Sequence, residues 1–181
     1  MKKENTAMYV LRLAVTLLII AGVMAAALAG VNAITAPKIA QLNYEKTQAA
    51  VSAVLEGGGD EIEAPAMDLV SKMYQGENGY AVEVTPSGFD NTITMMVGVD
   101  NEGNVTGISI ISHTETAGLG AVAAATTSAG EACRAQFVGL NGNVSVTKDG
   151  GQVEAITSAT ITSRAVCAGV NAALAAVAAI G

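Results

Sequence analysis

From Leu13 to Ile34 the chain reads LAVTLLIIAGVMAAALAGVNAI, 22 residues without a charged side chain. As a helix this run is roughly 33 Å long against about 30 Å of bilayer hydrocarbon, and in lipid a lone segment must satisfy its backbone internally, which only a helix does. No other feature limits the fold as sharply. Lys2, Lys3 and Arg12 form a basic front end, and Ala27-Leu28-Ala29 resembles a small-residue site at which secretory signals are cleaved. A signal's apolar core usually spans about 7–15 residues, whereas this run continues past Ala29 without a polar break, which favours a retained single-pass helix. The basic residues precede the span, and Arg12 at its edge can snorkel to the headgroups. The positive-inside bias therefore predicts a cytoplasmic N-terminus in the cell (inner) membrane and an extracytoplasmic, periplasmic remainder. The expected organisation is 1–36 for the cytoplasmic N-terminus and transmembrane helix, 37–60 for a stalk or packing helix, and 61–181 for one extracytoplasmic domain.

The remainder is acidic. From Thr35 onward six basic residues face fifteen acidic ones, a balance of −9. Such a surface has no basic footprint for a phosphate backbone, which excludes nucleic acid as a partner. Cys133 and Cys167 are 34 residues apart, without a CxxC or a Cys/His spacing that suits zinc. In an oxidising compartment they could pair, but the chain has no disulfide-rich framework, and two buried free thiols are the simpler expectation.

Beyond the span, Pro37 suits the first turn of a new helix, and PKIAQLNYEKTQAAVSAVL repeats apolar residues at Ile39, Leu42, Ala50, Val51, Val54 and Leu55 before Gly57-Gly58-Gly59 ends it. Residues 61–76 fit either a strand or a helical turn. YAVEVT (80–85), TITMMVGV (92–99) and NVTGISIIS (104–112) are β-branched-rich strands joined by turn residues, so an antiparallel meander is predicted. A glycine loop, TAGLG, leads into a helix interrupted or entered near Thr126 to Gly130. Short strands at 143–147 and 152–156 would flank a hairpin turn at Asp149-Gly150-Gly151. Arg164 to Ile180 is apolar on all sides and near the lower length limit for a span; its small side chains favour packing inside the domain. The fold class is thus α+β: one transmembrane helix, then an antiparallel sheet with packed helices.

Two segments could carry chemistry. In TSATITSRAV (157–166) five hydroxyls, on Thr157, Ser158, Thr160, Thr162 and Ser163, crowd the start of the last helix. A helix start presents free N–H groups and about half a positive charge, so the hydroxyls are either ordinary caps or the surroundings of a phosphate. Arg164, one turn in, could add a charge-assisted hydrogen bond. In HTETAGLG (113–120), His113 and Glu115 precede a glycine-flanked loop that can present Leu119 to a ligand. These two residues lack a third metal ligand at suitable spacing, and no G-x-S-x-G or Ser-His-Asp pattern supports a hydrolase. No catalytic residue and no metal ligand set is therefore assigned.

Together the two segments resemble a known family. HTETAGLG is similar to the HxETPGLG segment, and TSATITSRAV to the [ST]GATxTS segment, of the membrane-anchored FMN-binding domains found in RnfG and NqrC. GVNAITAPKIA after the span resembles that family's membrane exit, and GVDNEGNVTGISIISH followed by loop, helix and attachment motif keeps its order. The resemblance implies that Thr160 forms a phosphoester with FMN within a motif of Thr157, Ser158, Ala159 and Thr162. It implies that His113, Glu115, Thr116, Gly118 and Leu119 line the flavin pocket. The phosphodiester's remaining charge would gain roughly 0.3–2 kcal/mol from the helix dipole, with Arg164 beside it.

The resemblance also implies a role: an electron-transfer subunit of an ion-translocating ferredoxin:NAD oxidoreductase of the Rnf type. Its partners would be RnfD, RnfA, RnfE, the electron-input subunits RnfB and RnfC, a flavin transferase for maturation, and membrane lipid. The alternatives are an NqrC-type subunit of a sodium-translocating NADH:quinone oxidoreductase, or a flavin-free single-pass scaffold. The chain departs from the family pattern in three places. Ser158 stands where Gly is common, costing on the order of 1 kcal/mol if that position needs positive φ. Ala117 stands where Pro is common, and Gly88-Phe89-Asp90-Asn91 replaces a GYGG-like segment, so no functional residue is assigned there.

Overall fold

The computed structural model describes residues 6–180; Lys2 and Lys3, on which the expected orientation partly rests, lie outside the described residues. The chain divides between Tyr44 and Glu45 into two units. Helix α1 runs without a break from Thr6 to Val54 and contains Pro37. A separate helix restarting at Pro37 is therefore not found. Proline in a helix interior removes the donor to the carbonyl four residues back, here that of Ala33, and its ring crowds that same carbonyl. In the turn before Pro37, the Thr35 hydroxyl donates to the Val31 carbonyl at 3.0 Å, as Thr16 does to Arg12 at 2.8 Å, a back-bond of the kind that bends a helix and that leaves the Ala33 carbonyl untouched. Within the first unit the large apolar side chains, Leu18 and Ile34 among them, are exposed on all sides, and the helix is long and apolar enough to cross a membrane.

The second unit is a three-layer sandwich. Its sheet is a five-stranded antiparallel meander in chain order: β1 (Asp60–Ile62), β2 (Val70–Gly76), β3 (Gly79–Val84), β4 (Thr94–Asp100) and β5 (Val105–Ser112). The ambiguous stretch 61–76 thus contributes two strands, joined by a loop in which Leu69 takes φ 70°. Period-two alternation splits the sheet's side chains between two cores. Tyr74, Ala81 and Met96 face the end of α1, where Ala50, Val51, Val54 and Leu55 are buried. Gly98 is required there, because a Cβ at that position would run into the Val54 carbonyl and the Thr106 hydroxyl. Met73, Val82, Val84, Met95, Val97 and Val99 face the other core with Phe137, Val144 and Val146. Buried side chains of this size contribute about 1.5–3 kcal/mol each.

That second core is closed by α3 (Thr160–Ile180), which buries Val166, Val170, Ala173 and Val177 at helical spacing. Half of its most apolar stretch is buried, so it packs as a core helix. Its small residues set the depth of approach: a Cβ on Gly169 would collide with the end of Met95.

The connections differ more from expectation. After β5 the glycine loop enters a 3-10 turn, Gly120–Ala124, and a short helix α2, Ser128–Ala135, begins one residue after Thr127, whose hydroxyl accepts from Gly130 N–H at 3.4 Å. The hairpin expected around Asp149-Gly150-Gly151 is absent. Val144 exchanges both backbone hydrogen bonds with the Asn171 side chain of α3 at 2.8 Å rather than with a strand. Thr147–Asp149 form a 3-10 turn closed by left-handed Gly150 (φ 84°), and the chain returns to make one parallel bridge, Val146 to Val153. A hairpin turn would have reversed its direction; this turn does not.

Candidate functional site

The loop between β3 and β4, the loop after β5 and the first turn of α3 meet around a cavity of about 290 Å³ lined by Phe89, Glu115, Thr116, Leu119, Gly120, Ser158, Ala159, Thr160, Ile161 and Thr162. Glu115 organises its walls. The carboxylate is 8 % exposed and accepts from the Thr162 hydroxyl at 2.6 Å on one oxygen, and from Phe89 N–H at 2.8 Å and Asp90 N–H at 3.4 Å on the other. One buried charge thereby ties the 88–91 loop, the 115–120 loop and α3 together through charge-assisted bonds, which is how a buried carboxylate is accommodated. Two glycines make the approach possible. A Cβ on Gly88 would meet Glu115 Oε1, and one on Gly120 would meet Glu115 Oε2 and the Thr162 hydroxyl.

The five crowded hydroxyls separate into distinct duties. Thr162 is buried and committed to Glu115. Ser163 is buried too; its Oγ donates to the Ala159 carbonyl and accepts from Ile156 N–H, both at 3.0 Å, which folds the preceding turn onto α3. Thr157 and Ser158 are exposed. Thr160, half-buried at the first residue of α3, lines the cavity, and its hydroxyl accepts from Lys148 Nζ at 3.1 Å. The turn leading to it depends on Ser158 at φ 62°, a left-handed conformation that costs a non-glycine residue roughly 1–2 kcal/mol.

Arg164 is turned away from the cavity. Its guanidinium donates from Nε and Nη2 to the two carboxylate oxygens of Asp149, both at 2.7 Å, in a bidentate pair. These bonds hold the Asp149 carboxyl below its ordinary range and raise Arg164 further. The pair fixes the Thr147–Asp149 turn beside the start of α3, and it is this turn that carries Lys148.

Of the residues singled out in the sequence, Glu115, Thr116, Leu119, Ser158, Ala159, Thr160 and Thr162 are gathered at the cavity. Gly118 and Thr157 line a different groove, beside Cys133 and Gln136. His113 is outside the cavity lining, and its Nδ1 is buried without a hydrogen-bond partner. Phe89, Gly120, Ile161 and Lys148 were not singled out. Phe89 is one of only two phenylalanines and sits in a turn, 68 % exposed, which is an available signal for an aromatic with a surface duty. Lys148 gave none, because its closeness to Thr160 arises from a turn that the sequence reads as a hairpin. Cys133 and Cys167 are free thiols; burial raises both, and it pushes Cys167, with Cys133 nearby, up to about 11.

The residues suit FMN. Exposed apolar side chains of Phe89, Leu119 and Ile161 border the cavity and can flank a planar ring, while a helix start with an adjacent ammonium suits a phosphate. The family model for the FMN-binding domain matches residues 88–175, which include every residue lining the cavity. The chain is 33 % identical to the G subunit of the Na(+)-translocating ferredoxin:NAD(+) oxidoreductase complex of Acetobacterium woodii, over 90 % of this chain and 88 % of that protein. It is 32 % identical to the G subunit of the ion-translocating oxidoreductase complex of Methanosarcina acetivorans, over 84 % of this chain and 86 % of that protein. A shorter match, 38 % identical over 51 % of this chain and 49 % of the relative, joins it to the G subunit of the proton-translocating ferredoxin:NAD(+) oxidoreductase complex of Clostridium ljungdahlii. The chain belongs to the family of G subunits of ion-translocating oxidoreductase complexes, the RnfG family, and carries an FMN-binding domain.

Proposed function

We propose that this chain is the membrane-anchored electron-transfer subunit of an ion-translocating ferredoxin:NAD oxidoreductase of the Rnf type, with FMN attached through its phosphate to Thr160. It is an oxidoreductase subunit and not a complete enzyme. One observation carries the attachment: among the five crowded hydroxyls, Thr160 alone is at once a cavity-lining group, the first residue of α3 and a partner of a cationic side chain. When bound, FMN supplies reversible one- and two-electron transfer. The chain's own residues would bind and orient it: α3 would offer its free N–H groups to the phosphate, Glu115 holds the two loops in register, and Phe89, Leu119 and Ile161 would supply apolar surface for the ring.

In this reading residues 1–36 anchor the chain with a cytoplasmic N-terminus, 37–60 form the stalk, and 61–181 form the domain outside the cytoplasm. RnfD, RnfA, RnfE, RnfB and RnfC are the partners, and a flavin transferase matures the protein. The coupling ion belongs to the partners, because the span from Leu13 to Ile34 has no charged side chain to make an ion path. The named relatives agree with that division, since one belongs to a sodium-translocating and another to a proton-translocating complex.

The test is the intact mass of the denatured protein purified after co-expression with a flavin transferase. An increase equal to one FMN less water, on the peptide containing Thr160 and lost in Thr160→Ala, is the expected result. An unmodified mass from exported, folded protein would shift the reading to a flavin-free scaffold.

A further inference from the structure

We propose that Lys148 is a positioning residue for the flavin phosphate: its ammonium, held in place by the Asp149–Arg164 pair, neutralises the phosphate joined to Thr160. This inference rests on the reading that Thr160 carries the flavin.

The geometry starts from the 3-10 turn Thr147–Asp149. Gly150 is left-handed at φ 84°, its N–H closing on the Thr147 carbonyl at 3.1 Å, and a Cβ on Gly151 would strike Ser145, so the turn is tightly determined by its own glycines. It is then fastened to α3 by the two 2.7 Å bonds between Arg164 and Asp149. Lys148, adjacent to that clamp, donates to Thr160 Oγ1 at 3.1 Å. A group joined to this oxygen lies within reach of the same ammonium.

Among the described residues, the other cations of the domain are occupied or remote. Lys72 pairs with Glu61 at 3.4 Å, and Arg134 donates to the Ala123 and Ala125 carbonyls at 2.7 and 2.9 Å. Arg164 is engaged by Asp149, and Lys46 lies on α1, which contributes nothing to the cavity. The carboxylate of Glu115 is already inside the cavity wall. Adding a phosphodiester to an acidic domain beside that carboxylate brings like charges together, and Lys148 is the side chain positioned to offset the repulsion. Arg164 acts one step removed: it fixes the turn through Asp149.

The experiment uses the full-length chain exported with a flavin transferase and follows the fraction of covalently flavinylated protein over time by intact mass. Lys148→Gln should load about tenfold more slowly, the scale of one charge-assisted contact, and Lys148→Arg should stay within about threefold of the parent. Asp149→Asn should fall between them. Loading is followed in cells, so the charge role is read on the product: the 31P resonance of the loaded protein should shift in Lys148→Gln and return in Lys148→Arg. The same resonance should respond to salt in the parent and much less in the Gln variant, since an exposed pair is screened. Equal loading and an unmoved 31P resonance in Lys148→Gln, with Thr160→Ala unloaded, would overturn the role of Lys148 and leave the attachment site standing. Flavin on Thr160→Ala, or none on the parent, would overturn the attachment site and this inference with it. An unchanged Asp149→Asn beside a slow Lys148→Gln would overturn the clamp.

Discussion

Replacing Glu115 tests whether one carboxylate holds the cavity together. Glu115→Ala removes the acceptor for the Thr162 hydroxyl (2.6 Å), Phe89 N–H (2.8 Å) and, more weakly, Asp90 N–H (3.4 Å). Hydrogen bonds to a charged acceptor contribute about 1.5–3 kcal/mol each, and a buried donor left alone costs about 1–3 kcal/mol. Two short bonds would give a gross loss of about 3–6 kcal/mol. Releasing a carboxylate from burial returns part of this, and water entering the open cavity returns more, which leaves about 2–4 kcal/mol. For a domain of this size each kcal/mol shifts Tm by about 3–5 °C, so the full chain in detergent should melt roughly 6–20 °C lower. Glu115→Gln keeps an acceptor for the 88–91 loop and should lose about half as much. Thr162→Val removes the partner hydroxyl, and in a double-mutant cycle with Glu115→Ala the two changes should couple by about 1–2 kcal/mol, since both abolish the same bond. Thermal circular dichroism of the five proteins supplies the measurement. A Tm for Glu115→Ala within about 2 °C of the parent, or additive effects in the cycle, would refute the carboxylate as the tie between loops and helix.

Three further outcomes follow from the same geometry. Ser158→Gly should relieve the left-handed strain at φ 62°, and after the entropy cost of glycine it should raise stability by up to about 1 kcal/mol, read as a small increase in Tm; a fall in Tm would contradict the strain. Arg164 holds the Asp149 carboxyl below its ordinary range, so the clamp's contribution is fully present above the unfolded carboxylate's value of about 3.9 and is lost as pH falls through the lower folded value. Amide protection factors at residues 147–150, which remove the intrinsic pH dependence of exchange, should therefore hold down to about pH 5 and fall only below about pH 4, and a fall already at about pH 6 would contradict the pairing. Burial pushes the Cys167 thiol up to about 11 from an ordinary 9.0, so its contribution is complete below about pH 9 and is lost as pH rises toward 11. An alkylating reagent at about pH 8 should label Cys167 only after unfolding; rapid labelling of the native protein would contradict its burial.

The sheet was legible because its strands carry two periodic signals at once. YAVEVT and TITMMVGV alternate side chains between two buried faces while their turns keep Gly, Asn and Asp, so register and direction follow from local chemistry. The last helix was legible for a related reason: a run of Ala, Val and Leu that is too short to span comfortably has to be buried in the domain. Two places were not legible. Pro37 reads as a helix start under propensity alone, but the helix on either side is long enough to carry through the one ladder bond that the proline removes. Asp149-Gly150-Gly151 has the composition of a hairpin turn, and the outcome was decided by Asn171, 27 residues from Val144, which takes the backbone bonds that a partner strand would have used.

The site shows why residue type alone stops short of assigning duties. Thr160 and Thr162 are two positions apart, chemically identical and both at the cavity, yet the first is half-buried with its hydroxyl on Lys148 and the second is buried with its hydroxyl on Glu115. A helix advances about 100° per residue, so positions two apart face nearly opposite ways, and the direction of each is fixed by what packs on the helix rather than by the motif. Arg164 follows the same logic. One turn beyond Thr160, it stands on a face of α3 that meets the Thr147–Asp149 turn, and its planar fork matches a carboxylate in two bonds there. The cation that reaches the Thr160 hydroxyl is then its neighbour across that clamp, Lys148, supplied by a loop that no helical spacing could have indicated. The positive charge found at the start of α3 is therefore set by tertiary packing: the arginine on the helix positions the turn, and the turn delivers the lysine.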